Sequence, residues 1–199
     1  MQSSDIVALW ENTKFATNVS FTDGTMVTLE YDALTVAKDA VELIAKKIDL
    51  ENYSCFSLYR PRSDDDSYDA SEEQHILLND TRFIADALAE SKAEGMDDGL
   101  LFKKKVFREQ DDHVTEPAFV NLSYAQAQND FLQGNYPVVK EDASQMCALQ
   151  ILVSHGPELN ERSDVFIREL EKNITRQVRL QGVIVVAFKS AFLVESNTT

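Results

Sequence analysis

The residue types that most often carry catalysis are sparse in this sequence and lie far apart. The three histidines are His75, His113 and His155, and none stands beside a serine or cysteine in a recognisable nucleophile motif. A nucleophile needs a base within hydrogen-bond reach, and the sequence offers no such pairing. We therefore expect no enzyme activity, no cofactor, and structural or surface roles for the histidines.

The densest acidic run, residues 63–73, could hold a metal ion only with its ligands at fixed spacing. Its six acidic residues are Asp64, Asp65, Asp66, Asp69, Glu72 and Glu73. A calcium loop places a glycine at its sharp turn, and this run has none. We expect a solvated loop and no metal site.

One dense basic cluster stands out in a protein of net charge −15. It consists of Lys103, Lys104, Lys105 and Arg108. This patch could bind acidic phospholipid heads or an acidic partner through charge-assisted contacts. The simpler interpretation is a solvated strand whose lysines discourage edge pairing, and three acidic neighbours weaken the patch further: Glu109, Asp111 and Asp112. Both interpretations remain open.

The composition limits the partners and the compartment. A chain of 199 residues with 44% hydrophobic content can bury one substantial core or two small ones. The strong negative charge argues against nucleic-acid binding, because the whole-molecule field repels phosphate. Cys55 and Cys147 lie in apolar segments. Residues 1–14 form a lead segment, which Trp10 is expected to anchor on the first lobe. This lead segment shows no secretory signal. We expect a cytoplasmic protein with reduced thiols.

The N-terminal half predicts a small sheet and one amphipathic helix. Residues 15–21 and 25–31 alternate with period two, and Asp23-Gly24 between them is typical of a hairpin. Thr35 is expected to cap a helix whose apolar positions recur at helical spacing: Val36, Ala40, Leu43, Ile44 and Ile48.

Two further strands and a final strand complete this lobe. Residues 55–59 and 76–78 predict strands. A short helix is predicted next, with Phe83, Ile84 and Leu88 on its apolar side. Residues 100–107 predict the last strand of this lobe. In that strand Leu100, Phe102, Lys104 and Val106 share one face. The order of elements is that of ubiquitin, so we expect a ubiquitin-like lobe over residues 15–110.

The second half predicts helices. Pro117 suits a first turn, and the expected buried face comprises Val120, Tyr124, Ala127 and Phe131. After a cap at Gly134, a helix from Asp142 is apolar almost all round, so we expect it to be the most buried. Because both helices look like core, any partner surface should lie elsewhere.

The remaining segments are assigned more coarsely. Residues 111–116 predict an acidic linker, residues 165–180 a third helix, and residues 181–199 a tail of different character. Its apolar stretch is about twelve residues and contains Lys189, which is short for a membrane span of about twenty. The fold class is therefore predicted as α+β, with a partial helical lobe at 117–180.

Several sequence segments together carry a family resemblance. They are residues 101–109 (LFKKKVFRE), residues 119–124, Gly134-Asn135-Tyr136-Pro137-Val138, Glu141-Asp142-Ala143 and residues 148–152. In this combination the chain resembles a FERM domain, with a ubiquitin-like lobe followed by a helical middle lobe like acyl-coenzyme-A-binding bundles. It is most similar to the type joined to a myosin-tail-homology domain, as in the tails of plant kinesin-like motors.

The resemblance implies a non-enzymatic adaptor that docks protein cargo, cytoskeleton or membrane. A complete FERM domain has a third lobe, and this sequence shows neither that lobe nor a motor with its Gly-x-x-x-x-Gly-Lys-Ser/Thr loop. Two alternatives therefore stay open. The chain could be a truncated product without an independent role, or its helical lobe could bind a small lipid or acyl ligand.

Overall fold

The computed structural model describes residues 13–62, 75–96 and 99–155, and they form a mixed sheet and four α-helices. The elements in chain order are β1 (Phe15–Phe21), β2 (Met26–Tyr31), α1 (Ala37–Lys47), β3 (Phe56–Pro61), β4 (His75–Leu77), α2 (Ile84–Ala93), β5 (Leu100–Lys104), a 3-10 helix (Glu109–His113), α3 (Pro117–Gln133) and α4 (Lys140–His155). The predicted α+β class is confirmed. The chain divides into two compact units after Gln126.

The sheet of the first unit has the strand order β2-β1-β5-β3-β4. β1 and β5 run parallel, and the other neighbours are antiparallel. The hairpin predicted at Asp23-Gly24 is confirmed: Gly24 takes a φ of 84°, and the Asp23 carboxylate accepts the Thr25 backbone N–H at 2.8 Å. β5, the last strand in sequence among the described residues, is thus the central strand of the sheet.

The core lies between one face of the sheet and helices α1 and α2. Successive β5 side chains alternate between buried and half-buried, with Leu100, Phe102 and Lys104 on the buried side. The Phe102 ring stacks on Phe56 with centroids 5.1 Å apart and meets Phe21 edge-on at 5.6 Å. This aromatic row ends beside Lys104, so the face that buries the core also carries a charged group.

The cap predicted for α1 is wrong. The helix begins at Ala37, with Val36 at the N-cap position and no side-chain cap. The Thr35 hydroxyl instead donates to the Asp32 carboxylate at 2.9 Å and accepts the Asp32 backbone N–H at 3.0 Å. The preceding turn therefore uses the hydroxyl that a cap would need.

β2 and β4 form the two edges of the sheet. On β2 the Lys47 ammonium, from the last turn of α1, donates to the Thr28 backbone carbonyl at 2.7 Å. This contact places a charged side chain along the outer strand.

β5 ends earlier than predicted. The sequence predicts a strand to residue 107, but the ladder ends at Lys104. β1 pairs with β5 only as far as Phe21 opposite Phe102. Beyond that point β1 enters its hairpin, so no neighbouring strand is left on that side to continue the ladder.

The first half of α3 packs on the core of the first unit through a different face from the predicted one. Phe119, Leu122 and Gln126 are buried, whereas Val120 and Tyr124 are 46% and 54% exposed. Both sets satisfy helical spacing, so the pattern could not choose between them.

The sequence predicts that α4, in the second unit, is the most buried helix, but the structure buries it along one stripe only. Ala143, Cys147 and Ile151 form its buried stripe at spacings of four residues. The exposed apolar side chains of this helix are Met146, Leu149, Leu152 and Val153. Gly134 ends α3 with a φ of 82°, as the cap prediction requires.

Four predictions fall outside the described residues. They concern Trp10, the acidic run at 63–73, the third helix at 165–180 and the tail at 181–199. Within the described part of the chain, no helix is both long and apolar enough to cross a membrane.

Candidate binding surface around the β5 lysines

Lys104, the middle lysine of the predicted basic cluster, is not on the surface. Its side chain is 1% exposed, and its ammonium lies 2.8 Å from a carboxylate oxygen of Asp111 in the 3-10 helix. The ammonium also donates to the Ser123 hydroxyl of α3 at 3.3 Å. An external anion therefore cannot reach this charge without displacing those groups.

Three aromatic rings complete the surroundings of the Lys104 ammonium. The ring centroids of Phe119, Phe107 and Phe56 lie 4.3, 4.7 and 6.0 Å from it. Ring faces carry partial negative charge and attract a cation, most strongly where water is excluded. The rings and the carboxylate together replace the water that the ammonium loses on burial.

The carboxylate of Asp111 remains ionised in this setting. Burial raises the pKa of Asp111, but hydrogen bonds from the Lys104 ammonium and the Arg108 backbone, together with both positive charges, outweigh burial and lower the pKa below its ordinary value of 3.8. The Asp111 carboxylate is therefore charged at neutral pH. Asp111, which in the sequence weakens the basic cluster, is thus the ion-pair partner of Lys104.

Two more side chains bind the linker and α3 to the rest of the first unit, one to β5 and one to the segment before β3. The Gln126 side-chain amide accepts the Lys104 backbone N–H at 2.7 Å and donates to the Lys104 carbonyl at 3.1 Å. The Glu116 carboxylate accepts the backbone N–H groups of Glu51 and Asn52 at 2.6 and 3.1 Å. Neither role is visible in the sequence, because both join residues 22 or more positions apart.

The other basic residues of the cluster each have a neighbour of their own. The Lys103 ammonium lies 4.5 Å above the Tyr59 ring, Lys105 lies 3.8 Å from the Asp80 carboxylate, and Arg108 lies 3.6 Å from Asp111. Lys103 is half-buried, whereas Lys105 and Arg108 are exposed. The four residues thus do not form one unopposed positive surface.

The residue types that most often carry catalysis lie in different elements of the structure. His75 lies in β4 and His113 in the 3-10 helix. Cys55 and Cys147 are free and buried, and desolvation raises the pKa of both thiols, that of Cys147 to about 12. Among residues 13–62, 75–96 and 99–155, no group of three or more His, Cys, Asp or Glu side chains is arranged to hold a metal ion.

The two parts of the chain match two family models. Residues 13–106 match an RA like domain, and residues 109–186 match a FERM central domain. Over 187 residues the chain is 43% identical to the kinesin-like protein KIN-14I of Oryza sativa subsp. japonica and to KIN-14E of Arabidopsis thaliana. The chain is FERM-type over its two matched parts.

These relatives are much longer than the FERM-type chain. The alignment spans 88% of this chain but 15% of the length of each kinesin-like relative. Talin-1 of Gallus gallus is a more distant relative, 24% identical over 78% of the chain and 7% of its own length.

Solved structures show the same fold. The MyTH4-FERM MF2 domain of Dictyostelium discoideum myosin VII superposes with a TM-score of 0.77 over 99% of this chain and 41% of that chain, at 13% identity. The FERM domain of Drosophila Merlin, in complex with its C-terminal domain, gives a TM-score of 0.68 over 90% and 57%, at 15% identity. At these identities the match shows the fold alone: a ubiquitin-like lobe followed by a helical lobe.

Proposed function

We propose that this FERM-type chain is a non-enzymatic adaptor that docks protein partners as part of a cytoskeletal motor protein in the cytoplasm. The observation that carries the proposal is 43% identity to two plant kinesin-like proteins across both lobes. Relatives named as an unconventional myosin and as talins point to the same class of protein. FERM domains in motor and cytoskeletal proteins generally bind other proteins or membranes.

α3 and α4 each expose apolar side chains, and each set by itself supplies a surface for such docking. α3 exposes Val120 and Tyr124 in the first unit, and α4 exposes Met146, Leu149 and Val153 in the second. Tyrosine and methionine are enriched at protein interfaces, because they bury a large area. The expectation that the helix pair offers only core residues is therefore wrong, and these side chains support the proposal.

Co-sedimentation of the full chain with microtubules and with actin filaments tests the docking proposal. We expect the chain to pellet with one filament type, and Met146→Ser to weaken that binding. Met26→Ser is the matched control, because Met26 is exposed to 69% on the sheet edge and Met146 to 44% on α4. If the chain pellets with neither filament, direct cytoskeletal docking is refuted.

A second candidate is binding of acidic phospholipids or of an acidic partner near the end of β5. Exposed Val106 and Phe107 lie between Lys105 and Arg108, a mixture of apolar and basic groups that suits a lipid headgroup region. Lys104 is not part of this surface because its side chain is buried, so the basic residues that remain are Lys103, Lys105 and Arg108. Since Lys105 and Arg108 lie near carboxylates, an acidic ligand would have to compete with Asp80 and Asp111.

Vesicle sedimentation separates the two candidates. Vesicles that contain phosphoinositide should bind the chain, and Lys105→Glu with Arg108→Glu should abolish the binding. Lys46→Glu is the control, because Lys46 is an exposed lysine on α1, outside the cluster. Binding that survives the double substitution refutes this surface.

A further inference from the structure

Residues 107–126 follow the RA like match in the chain, yet they are bonded to the ubiquitin-like lobe at several points. The RA like match ends at residue 106 and the FERM central match begins at residue 109. A boundary at that position would predict that the linker and α3 fold with the helical lobe. The contacts of residues 107–126 instead lie on β5 and on the turn before β3.

We infer that the linker and the first half of α3 act as a latch on the ubiquitin-like lobe and unfold with it as one cooperative unit that ends after Gln126. The latch consists of Asp111, Glu116, Ser123 and Gln126, with Phe107 and Phe119 around the Lys104 ammonium.

Gln126 binds the end of β5 through both polar groups of its side-chain amide. The amide oxygen accepts the Lys104 backbone N–H, and the amide NH2 group donates to the Lys104 carbonyl. β1 no longer pairs with β5 at Lys104. The Gln126 side chain therefore makes the hydrogen bonds to Lys104 that a neighbouring strand would otherwise make. Loss of Gln126 would leave a buried N–H and C=O unpaired at the end of the central strand.

The first half of α3 carries both apolar core residues and a polar partner of the Lys104 ammonium. Phe119 and Leu122 belong to the hydrophobic core of the sheet, together with Phe56 and Phe102. If α3 separated from the sheet, the Lys104 ammonium would lose Ser123 and one of its rings, and the core would open. Separation of the latch and unfolding of the sheet are therefore one event.

Glu116 holds the other end of the latch. Its carboxylate takes three donors from residues 51 and 52: the two backbone N–H groups and the Asn52 side-chain amide at 2.9 Å. The contact fixes the start of α3, since Pro117 is the first residue of that helix. The latch is thus attached at both the start and the middle of the segment.

Native-state hydrogen exchange on the full chain, followed by NMR in rising urea, tests the inference. We expect the amides of residues 122–126 to converge with those of β5 on one exchange curve, because they are exposed by the same opening. Gln126→Ala should accelerate both groups by the same factor, about tenfold for the loss of two buried hydrogen bonds.

Gln128→Ala is the matched control, since it makes the same change of helix propensity two residues along α3. It should leave the β5 amides unchanged. Glu116→Gln is a milder second variant, which should also accelerate both groups together. The inference is overturned if residues 122–126 exchange independently of β5, or if Gln126→Ala accelerates the Lys104 amide alone.

Discussion

Removal of either partner of the buried Lys104–Asp111 pair should destabilise the protein, but by different amounts. The side chain of Lys104 is 1% exposed and that of Asp111 is 13% exposed. A substitution at one residue leaves the other charge behind, so the cost depends on the surroundings of the survivor. Asp111→Ala should therefore cost more than Lys104→Met.

The surroundings give approximate magnitudes. After Asp111→Ala the ammonium keeps only the Ser123 hydroxyl and the aromatic rings, and loss of one partner of a buried pair costs about 3–5 kcal/mol. After Lys104→Met the carboxylate keeps Arg108 and its access to water, while the thioether packs against the rings. We expect about 1.5–3 kcal/mol, the range for loss of a hydrogen bond to a charged group.

Urea unfolding of the full chain at pH 7 measures both values. The double variant Lys104→Met with Asp111→Ala should resemble Lys104→Met alone, because no buried charge is left unpaired. Lys103→Met is the matched control and should cost less than either single change, since Lys103 is only half-buried. The explanation from an unpaired buried charge is refuted if Lys104→Met lowers the free energy of unfolding as much as Asp111→Ala does. It is also refuted if the two losses add in the double variant.

Three further outcomes are expected. Because the folded pKa of Asp111 is lowered, its contribution to stability is present above its ordinary value of 3.8 and is lost as the pH falls below that value; acid titration of Asp111→Asn should lack this loss. Cys147 is fully buried and its pKa is raised to about 12, so a thiol reagent should label it only in denaturant, and rapid labelling of the native chain would contradict its burial. Arg60→Met should lower the urea midpoint, because the Arg60 side chain is 13% exposed and its guanidinium lies 2.7 Å from the Glu94 carboxylate; Lys46→Met, in an exposed pair, should not change it.

The order of elements could be predicted because each has a short-range signal. The hairpin depends on Asp23-Gly24, the end of α3 on Gly134, and the strands on alternation with period two. These signals concern residues a few positions apart, and the structure retains them. The resemblance in residues 101–109 and 134–143 then identified the FERM type, which the family matches confirm.

Two choices were not predictable. Thr35 could cap α1 or bond to Asp32 three residues earlier, and both uses fit the local sequence. Two faces of α3 fit helical spacing, and packing on the distant sheet determines which of them is covered. For Lys104 one signal was available: the alternation of β5 places it on the face of Phe102, which predicts burial. Its partner Ser123 had no such signal.

The contact between Lys47 and Thr28 bears on how the protein behaves at high concentration. An outer strand with unpaired backbone groups is a template on which another copy can add a strand, and such addition leads to aggregates. At β2 the ammonium of Lys47 occupies the Thr28 carbonyl, so a second copy would have to displace a charged group to pair there. A single lysine of α1 thereby favours a dispersed protein over a growing sheet.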